Sequence, residues 1–461
     1  MEEMTEPAGR PTPAPWREVF RGRRGRLTTG LLILEAMVGV EALVLTTILP
    51  AVERDLGGLR YYGWAFSAFG LATLMTIPLG GKATDRFGPR TVLQVALWFY
   101  AIGLVIAAAA PNMPVLVAGR FVQGSGSGAL YVVSMSTVAK GYPESIRPRV
   151  FAVLASMWIL PGVVGPPLGA LLASTVGWRW AFIVPIPILA LCVALIVPPL
   201  SEIPVSPEAS VDLPLRWPFQ LMIGVGLLLA GLTDPNRLTS VLIPIGIVIA
   251  IPALLHIAPP GTFTARPGLP ATAATAFLTS AAFGAIDGFV PLMLTRVRGL
   301  SVGRAGLVVT AATITWSFGT WWQSRRFAEI GARKLAAIGG SLVGLAGVLV
   351  SLGLVSGLSV VIPYIGWALG GLGMGIVFPT IPLAAMSVTT QGREAGELSA
   401  TLLTDYLGIA IGAGLGGASV ALADSGILSL RAGIAGAFAV GVVTSIVLVL
   451  VTRRLPEGRE R

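Results

Sequence analysis

Gly81-Lys82-Ala83-Thr84-Asp85-Arg86-Phe87-Gly88-Pro89-Arg90 is a polar decapeptide between two long apolar runs, 63–82 and 91–110. Each run has the roughly 20 residues that a helix needs to cross a bilayer. A charged turn that short, between runs that long, predicts a helical hairpin through a membrane. The rest of the chain repeats the pattern. With 54% of residues hydrophobic and 12% charged, it carries about half the charge of a soluble domain, in which roughly a quarter of residues are charged.

Further candidate spans are 27–52, 114–139, 150–173, 180–200, 217–233, 238–257, 269–294, 303–323, 334–356, 360–387, 397–422 and 429–452, which makes fourteen. The span 217–233 is short and carries Pro218, so 217–257 reads either as two spans or as a re-entrant hairpin. Of the 32 Lys and Arg, 23 fall in alternate loops and termini on one side and 8 on the other. Basic residues concentrate on the cytoplasmic side, so both termini are expected inside. The first span follows six arginines without a small-residue cleavage site and reads as a retained helix. Lysine is scarce beside arginine, which fits a high-GC bacterial source and hence a multi-pass protein of the inner (plasma) membrane.

The net charge of +10 does not mark a nucleic-acid partner, because the arginines are spread through short loops. Cys192 and His256 are each the only one of their kind, which excludes a disulfide framework and most metal or histidine-based chemistry. No metal or cofactor is expected, and no G-x-S-x-G nucleophile turn is present. A membrane-embedded enzyme is therefore a distant reading.

An internal repeat is visible. Gly88-Pro-Arg90 recurs as Gly331-Ala-Arg333, and Gly165-x3-Gly169 as Gly408-x3-Gly412, both 243 positions on. The expected architecture is all-α: a six-helix bundle over 27–200, a linker with an inserted helix pair over 201–268, and a second six-helix bundle over 269–453. The segments 1–26 and 454–461 are the cytoplasmic ends. Parallel repeats of this kind place a binding site near the midplane, where the halves meet.

Ionisable groups inside the spans are costly and are functional candidates by default. They are Glu35, Glu41, Arg120, Asp287 and Asp405. Hydrocarbon favours a neutral carboxyl and a neighbouring arginine favours an ionised one. An acid held between those influences can exchange a proton near neutral pH. The plain alternative for any one of them is a helix–helix hydrogen bond. Arg120 and Gln123, one turn apart, share a helix face. Helix arithmetic sets Glu41 and Arg120 roughly 8 Å apart in depth at 1.5 Å per residue, which leaves direct pairing open. Asp287 lies one turn past Gly284, the repeat counterpart of Glu41, so the two acids are expected as a symmetric pair facing one cavity. Tyr406, Trp367 and Gln123 are expected along that cavity, with Trp316, Trp321, Trp322 and Tyr364 as further aromatic lining.

The decapeptide reads G-x-x-x-D-R-x-G-x-R and resembles the loop signature of the major facilitator superfamily. Gly165-Pro166-Pro-Leu-Gly169-Ala170 resembles the G-P-x-x-G-G motif of its antiporter branches. Arg120-x-x-Gln123-Gly124 resembles their R-x-x-Q-G motif, and Gly177-Trp178-Arg179-Trp180-Ala-Phe182 their G-W-R-W-x-F segment. Over nearly its whole length the chain is similar to the fourteen-helix drug:proton antiporters. Aligning Leu49-Pro50 on that family's D-x-T-I-V-N-V-A-L-P puts Glu41 at the Asp position, with Leu43 at the Thr and Thr46 at the Asn.

The resemblance implies a monomeric exporter, driven by a proton gradient, of amphipathic and cationic small molecules. Gly81, Asp85, Arg86, Gly88 and Arg90 would lock its cytoplasmic face, with Asp85 capping a helix in the second half, the thirteenth span's. Gly165, Pro166 and Gly169 would shape the fifth helix against that half. The aromatic segment reads as an interfacial belt. An exporter of lipid or another metabolite is the neighbouring reading on the same scaffold.

Overall fold

The computed structural model describes residues 18–143, 145–157, 159–201, 214–234, 236, 238–388 and 394–456. The expectations placed on 1–17, 202–213 and 457–461 lie outside them. With no water in hydrocarbon to satisfy a peptide group, each apolar run closes its own backbone bonds as a helix. The described residues form about fourteen helical rods, several of them broken. They are α1 (Gly22–Leu56), α2 (Trp64–Ala108), α3 (Met113–Gly141), α4 (Arg147–Ser156), α5 (Ile159–Thr175), α6 (Trp180–Ile183) and α7 (Pro185–Leu200). Then come α8 (Arg216–Thr233), α9 (Leu242–Ile257), α10 (Leu269–Asp287), α11 (Phe289–Leu292) and α12 (Val302–Ile330). The chain ends with α13 (Ala332–Ser351), α14 (Val361–Met386), α15 (Glu394–Asp424) and α16 (Leu430–Thr452). Among the described residues, ten helical segments are long and apolar enough to cross a membrane, α8 and the segment Thr239–Ile257 among them.

The opening decapeptide is a break inside α2. Gly88 has φ 81° and ψ 157°, while its neighbours are helical. Gly331, 243 positions on, separates α12 from α13 at φ 80° and ψ 160°. Only glycine adopts this conformation without strain. The repeat is thus one of backbone shape as well as of sequence.

Packing follows the same repeat. A β-carbon on Gly165 would lie 3.0 Å from Leu43 Cβ, and one on Gly169 would lie 3.2 Å from both Ile48 Cγ2 and the Val44 carbonyl, so α5 packs on α1. Their counterparts Gly408 and Gly412 press α15 onto the carbonyls of Phe277 and Ala281 in α10. Missing side chains let these backbones approach closely. Gly165, Pro166 and Gly169 are expected to shape α5 against the second half; the two glycines seat α5 on α1, while α5 also packs on α12 of the second half. The second half is met at Gly162, which lies on Thr313, and at the Pro166 carbonyl, which faces Gly306, both partners in α12. The halves also join where α2 meets α15, the equivalent seam by the repeat.

The ends of this interface away from the Gly88 turn, expected to be the outer ones, are closed. Gly63 and Gly417 pack backbone to backbone, a β-carbon on Gly63 reaching within 2.6 Å of Gly417 Cα. Tyr62 Oη donates to the Gly288 carbonyl at 2.9 Å and Ser67 Oγ to that of Ala410 at 2.8 Å. Two ion pairs cross the same end: Arg296 Nη1 to Glu53 Oε2 at 2.5 Å and Arg60 Nε to Asp424 Oδ2 at 3.3 Å.

Candidate functional site

Three helices bring the first constellation together. Arg120 of α3 places Nη1 2.6 Å from Glu41 Oε1 of α1, and both side chains are only 3% exposed. The same Nη1 is 2.6 Å from Gln123 Oε1, and Nε donates to the Ala65 carbonyl at 3.3 Å. Tyr100, on the second segment of α2, donates its hydroxyl to Glu41 Oε2 at 3.2 Å. The Phe69 ring lies under the guanidinium, 4.3 Å from its centroid, a cation–π contact that replaces part of the lost hydration. The depth difference between Glu41 and Arg120 is bridged by the length of the arginine. Gln123, expected on the cavity wall, is instead fully buried, pressed against Gly103. No sequence signal marked Tyr100 or Phe69.

Asp287 ends α10 in different surroundings. Oδ1 accepts from Trp367 Nε1 of α14 at 3.2 Å, and Oδ2 from Thr46 Oγ1 of α1 at 3.4 Å. One carboxylate thus holds a donor from each half and, among the described residues, has no arginine paired with it. The symmetric pair expected from the repeat is therefore not symmetric: Glu41 is ion-paired inside the first half and Asp287 spans the seam. Trp367 is fully buried and stacks on Phe283, centroids 5.4 Å apart, with Trp316 edge-on to the other side of that ring system at 5.5 Å. Trp321, by contrast, is 48% exposed and lies beside Phe318 and Arg325 on the outer surface.

A third group lies further toward the Gly88 turn. Asp405 of α15 accepts from Ser280 Oγ of α10. Its carboxylate and that of Glu35 act electrostatically on the hydroxyls of Tyr131 and Tyr406. All four side chains are partly accessible.

At the Gly88 turn, Asp85 Oδ1 pairs with Lys140 Nζ of α3 at 3.3 Å. Arg86 and Arg90 are exposed, with Arg86 over the Phe87 ring. The expected capping of α15 by Asp85 falls at 394–398, whose side chains lie outside the described residues. Tight packing at this turn falls to Gly80, whose β-carbon would meet Ala129 Cα at 2.9 Å, whereas one on Gly81 would find only Val132 at 3.9 Å. The aromatic segment is more than an interfacial belt. Trp178 is buried, and Trp178 Nε1 and Arg179 Nη1 each donate to Asp55 Oδ2 at 2.9 Å, fastening α1 to the start of α6.

Two related helical halves, with a buried ion pair inside the first and a carboxylate bonded across their junction, define a membrane transporter. The family profile of the Major Facilitator Superfamily matches residues 31–413, and the chain belongs to that family. A probable multidrug-efflux transporter of Mycobacterium tuberculosis (strain H37Rv) is 26% identical, covering 98% of this chain and 100% of its own length. The multidrug transporter MdtP of Bacillus subtilis is 26% identical over 80% of this chain and 70% of its own. The multidrug efflux pump SdrM of Staphylococcus aureus is 23% identical over 83% and 86%. Among solved structures, a D-xylose-proton symporter superposes with a TM-score of 0.71 at 13% identity, covering 95% of this chain and 99% of that one. An auto-inhibited peptide transporter of the POT family reaches 0.69 at 16% identity, covering 95% and 99%. These likenesses are of fold. The protein is a multi-pass membrane transporter of small molecules and not an enzyme.

Proposed function

We propose that this protein is a fourteen-span, proton-driven antiporter that exports amphipathic, cationic compounds from the bacterial cytoplasm by alternating access. The observation that carries this reading is the position of Asp287, bonded at once to Thr46 of the first half and Trp367 of the second. Hydrogen bonds to an ionised acceptor are about twice as strong as neutral ones. A proton on Asp287 weakens both bonds together, and the Thr46 bond among them is the one that ties the halves. A cationic cargo competes for the same charge. Proton and cargo thereby become alternative occupants of one seam.

Glu41 has a separate part in this mechanism. Sealed against Arg120, it moves its proton only when the Arg120–Gln123–Tyr100 network opens, and it serves as the relay rather than the cargo site. Asp405 and Glu35, with Tyr131 and Tyr406, offer a cytoplasmic-side contact for an arriving cation. Asp85, Arg86 and Arg90 gate the cytoplasmic face, and the closed outer ends set the inward-loading stage of the cycle.

Purified protein in vesicles with an imposed pH gradient tests the reading. The gradient should drive uphill movement of a cationic dye, and a protonophore should stop it. Asp287→Asn, which keeps both bonding geometries, should abolish proton release on dye addition, and Glu41→Gln should slow it at least tenfold. Undiminished coupling in both variants, or gradient-driven movement of labelled lipid with none of dye, would overturn the proposal.

A further inference from the structure

The inserted hairpin is more than a spacer between the halves. Its two helices lock onto each other: Gly224 takes Ala250 against its backbone, Gly231 takes Ile243, and Gln220 Nε2 donates to the Ile249 carbonyl at 2.9 Å. Among the described residues, α8 is the helix of this pair that packs along both α2 and α15. Leu221, Val225 and Leu229 share one apolar cluster with Leu71, Leu74 and Ile77 of α2 and with Leu403, Leu407 and Ala410 of α15. The first trio of partners belongs to the first half and the second to the other.

Near the outer end the attachments become specific. Trp64 Nε1 of α2 donates to Thr233 Oγ1 at 2.9 Å, and that hydroxyl donates onward to the Leu229 carbonyl at 2.8 Å. Leu229 fills the space over Gly414 of α15, where a β-carbon would come within 2.5 Å of Leu229 Cδ1. Trp64 directly follows Gly63, the residue whose backbone meets Gly417 in the closed outer interface. Gly414 lies one turn before Gly417 on α15. One helix is therefore fastened to both leaves of the outer gate beside their closest approach.

We propose that α8 is a conformational strap, which holds the outer-closed state by tying α2 to α15. When the outer ends of those helices part, α8 can follow one of them only. Either the Trp64–Thr233 bond or the Leu229–Gly414 packing is then lost. At the α5–α12 seam, equivalent by the repeat, the helix that touches both leaves is α1 of the first bundle and not one of the inserted pair, so the strap makes the two seams unequal. The inserted pair thus sets how often the outer gate opens, whatever the cargo.

Alkylation of a cysteine hidden in that gate measures the effect without any transport. Ser67 is fully buried in the α2–α15 seam, and Ser67→Cys in a Cys192→Ala background gives a single reporter thiol. Thr233→Val and Trp64→Phe remove the same hydrogen bond from opposite ends, so either one that folds suffices. A membrane-buried bond of this kind corresponds to about threefold in an equilibrium, and each variant should speed alkylation by about that factor. Leu229→Ala should multiply it further, and Arg296→Gln, which breaks the outer ion pair, sets the scale of a loosened gate. Alkylation at the parent rate in the strap variants, with Arg296→Gln accelerated, would overturn the proposal. Because no cargo is present, that failure would leave the efflux reading standing.

Discussion

Replacing Arg120 by methionine removes the only guanidinium from a site where the Glu41 carboxylate is 3% exposed. Unit charges about 4 Å apart attract by about 4 kcal/mol at an effective dielectric of about 20. Burying them costs a comparable amount, so the intact pair contributes little net stability. Breaking it is different. The remaining charge keeps one bond, to Tyr100 at 3.2 Å, and an orphaned buried charge costs about 3–5 kcal/mol. Arg120→Met should therefore lower unfolding free energy by about that amount. Glu41→Gln should cost less, since Arg120 retains Gln123 and the Ala65 carbonyl. The double variant leaves no buried charge and should be more stable than the sum of the single losses by at least about 2 kcal/mol. Reversible unfolding in bicelles, followed through a double-mutant cycle, measures this. Additivity within about 0.5 kcal/mol, the behaviour of independent sites, would refute the claim that these side chains form one network.

Two other expectations follow from the repeat. Glu53 and Arg296 are separated by the repeat length of 243 and pair across the outer interface, so Arg296→Gln strands a nearly buried carboxylate. It should raise outer-gate opening, and exchanging the two residues (Glu53→Arg with Arg296→Glu) should restore closure, as read by the same cysteine alkylation. Gly88 and Gly331 share a positive-φ backbone, and Gly88→Ala and Gly331→Ala should each cost roughly 1–3 kcal/mol. Equal losses in thermal unfolding would mark the two turns as equivalent, and no loss in either would contradict the strain argument.

The fold was legible because hydrocarbon permits few solutions. Apolar runs of spanning length become helices, basic loops orient them, and Gly88 with Gly331 announced a repeat that the backbone reproduces. Glu53 and Arg296 also stand 243 positions apart, but an offset marks equivalent positions and not contact, so their pairing belongs to the tertiary structure. Tyr100 and Phe69 carry no such mark, for an aromatic residue in an apolar run looks the same whether it meets lipid, a ring or a buried carboxylate.

Sequence alone determined which charges lie in the membrane and that two similar halves carry them, because periodicity and composition are local properties. Only the tertiary structure decided which partners those charges have. Glu41 and Asp287 look like equivalents along the chain. One is nevertheless locked to an arginine inside a half, and the other is shared between halves by neutral donors. Rotation of each helix about its own axis makes that choice, and it is set by where glycines such as Gly165, Gly169, Gly408 and Gly412 let neighbouring backbones meet.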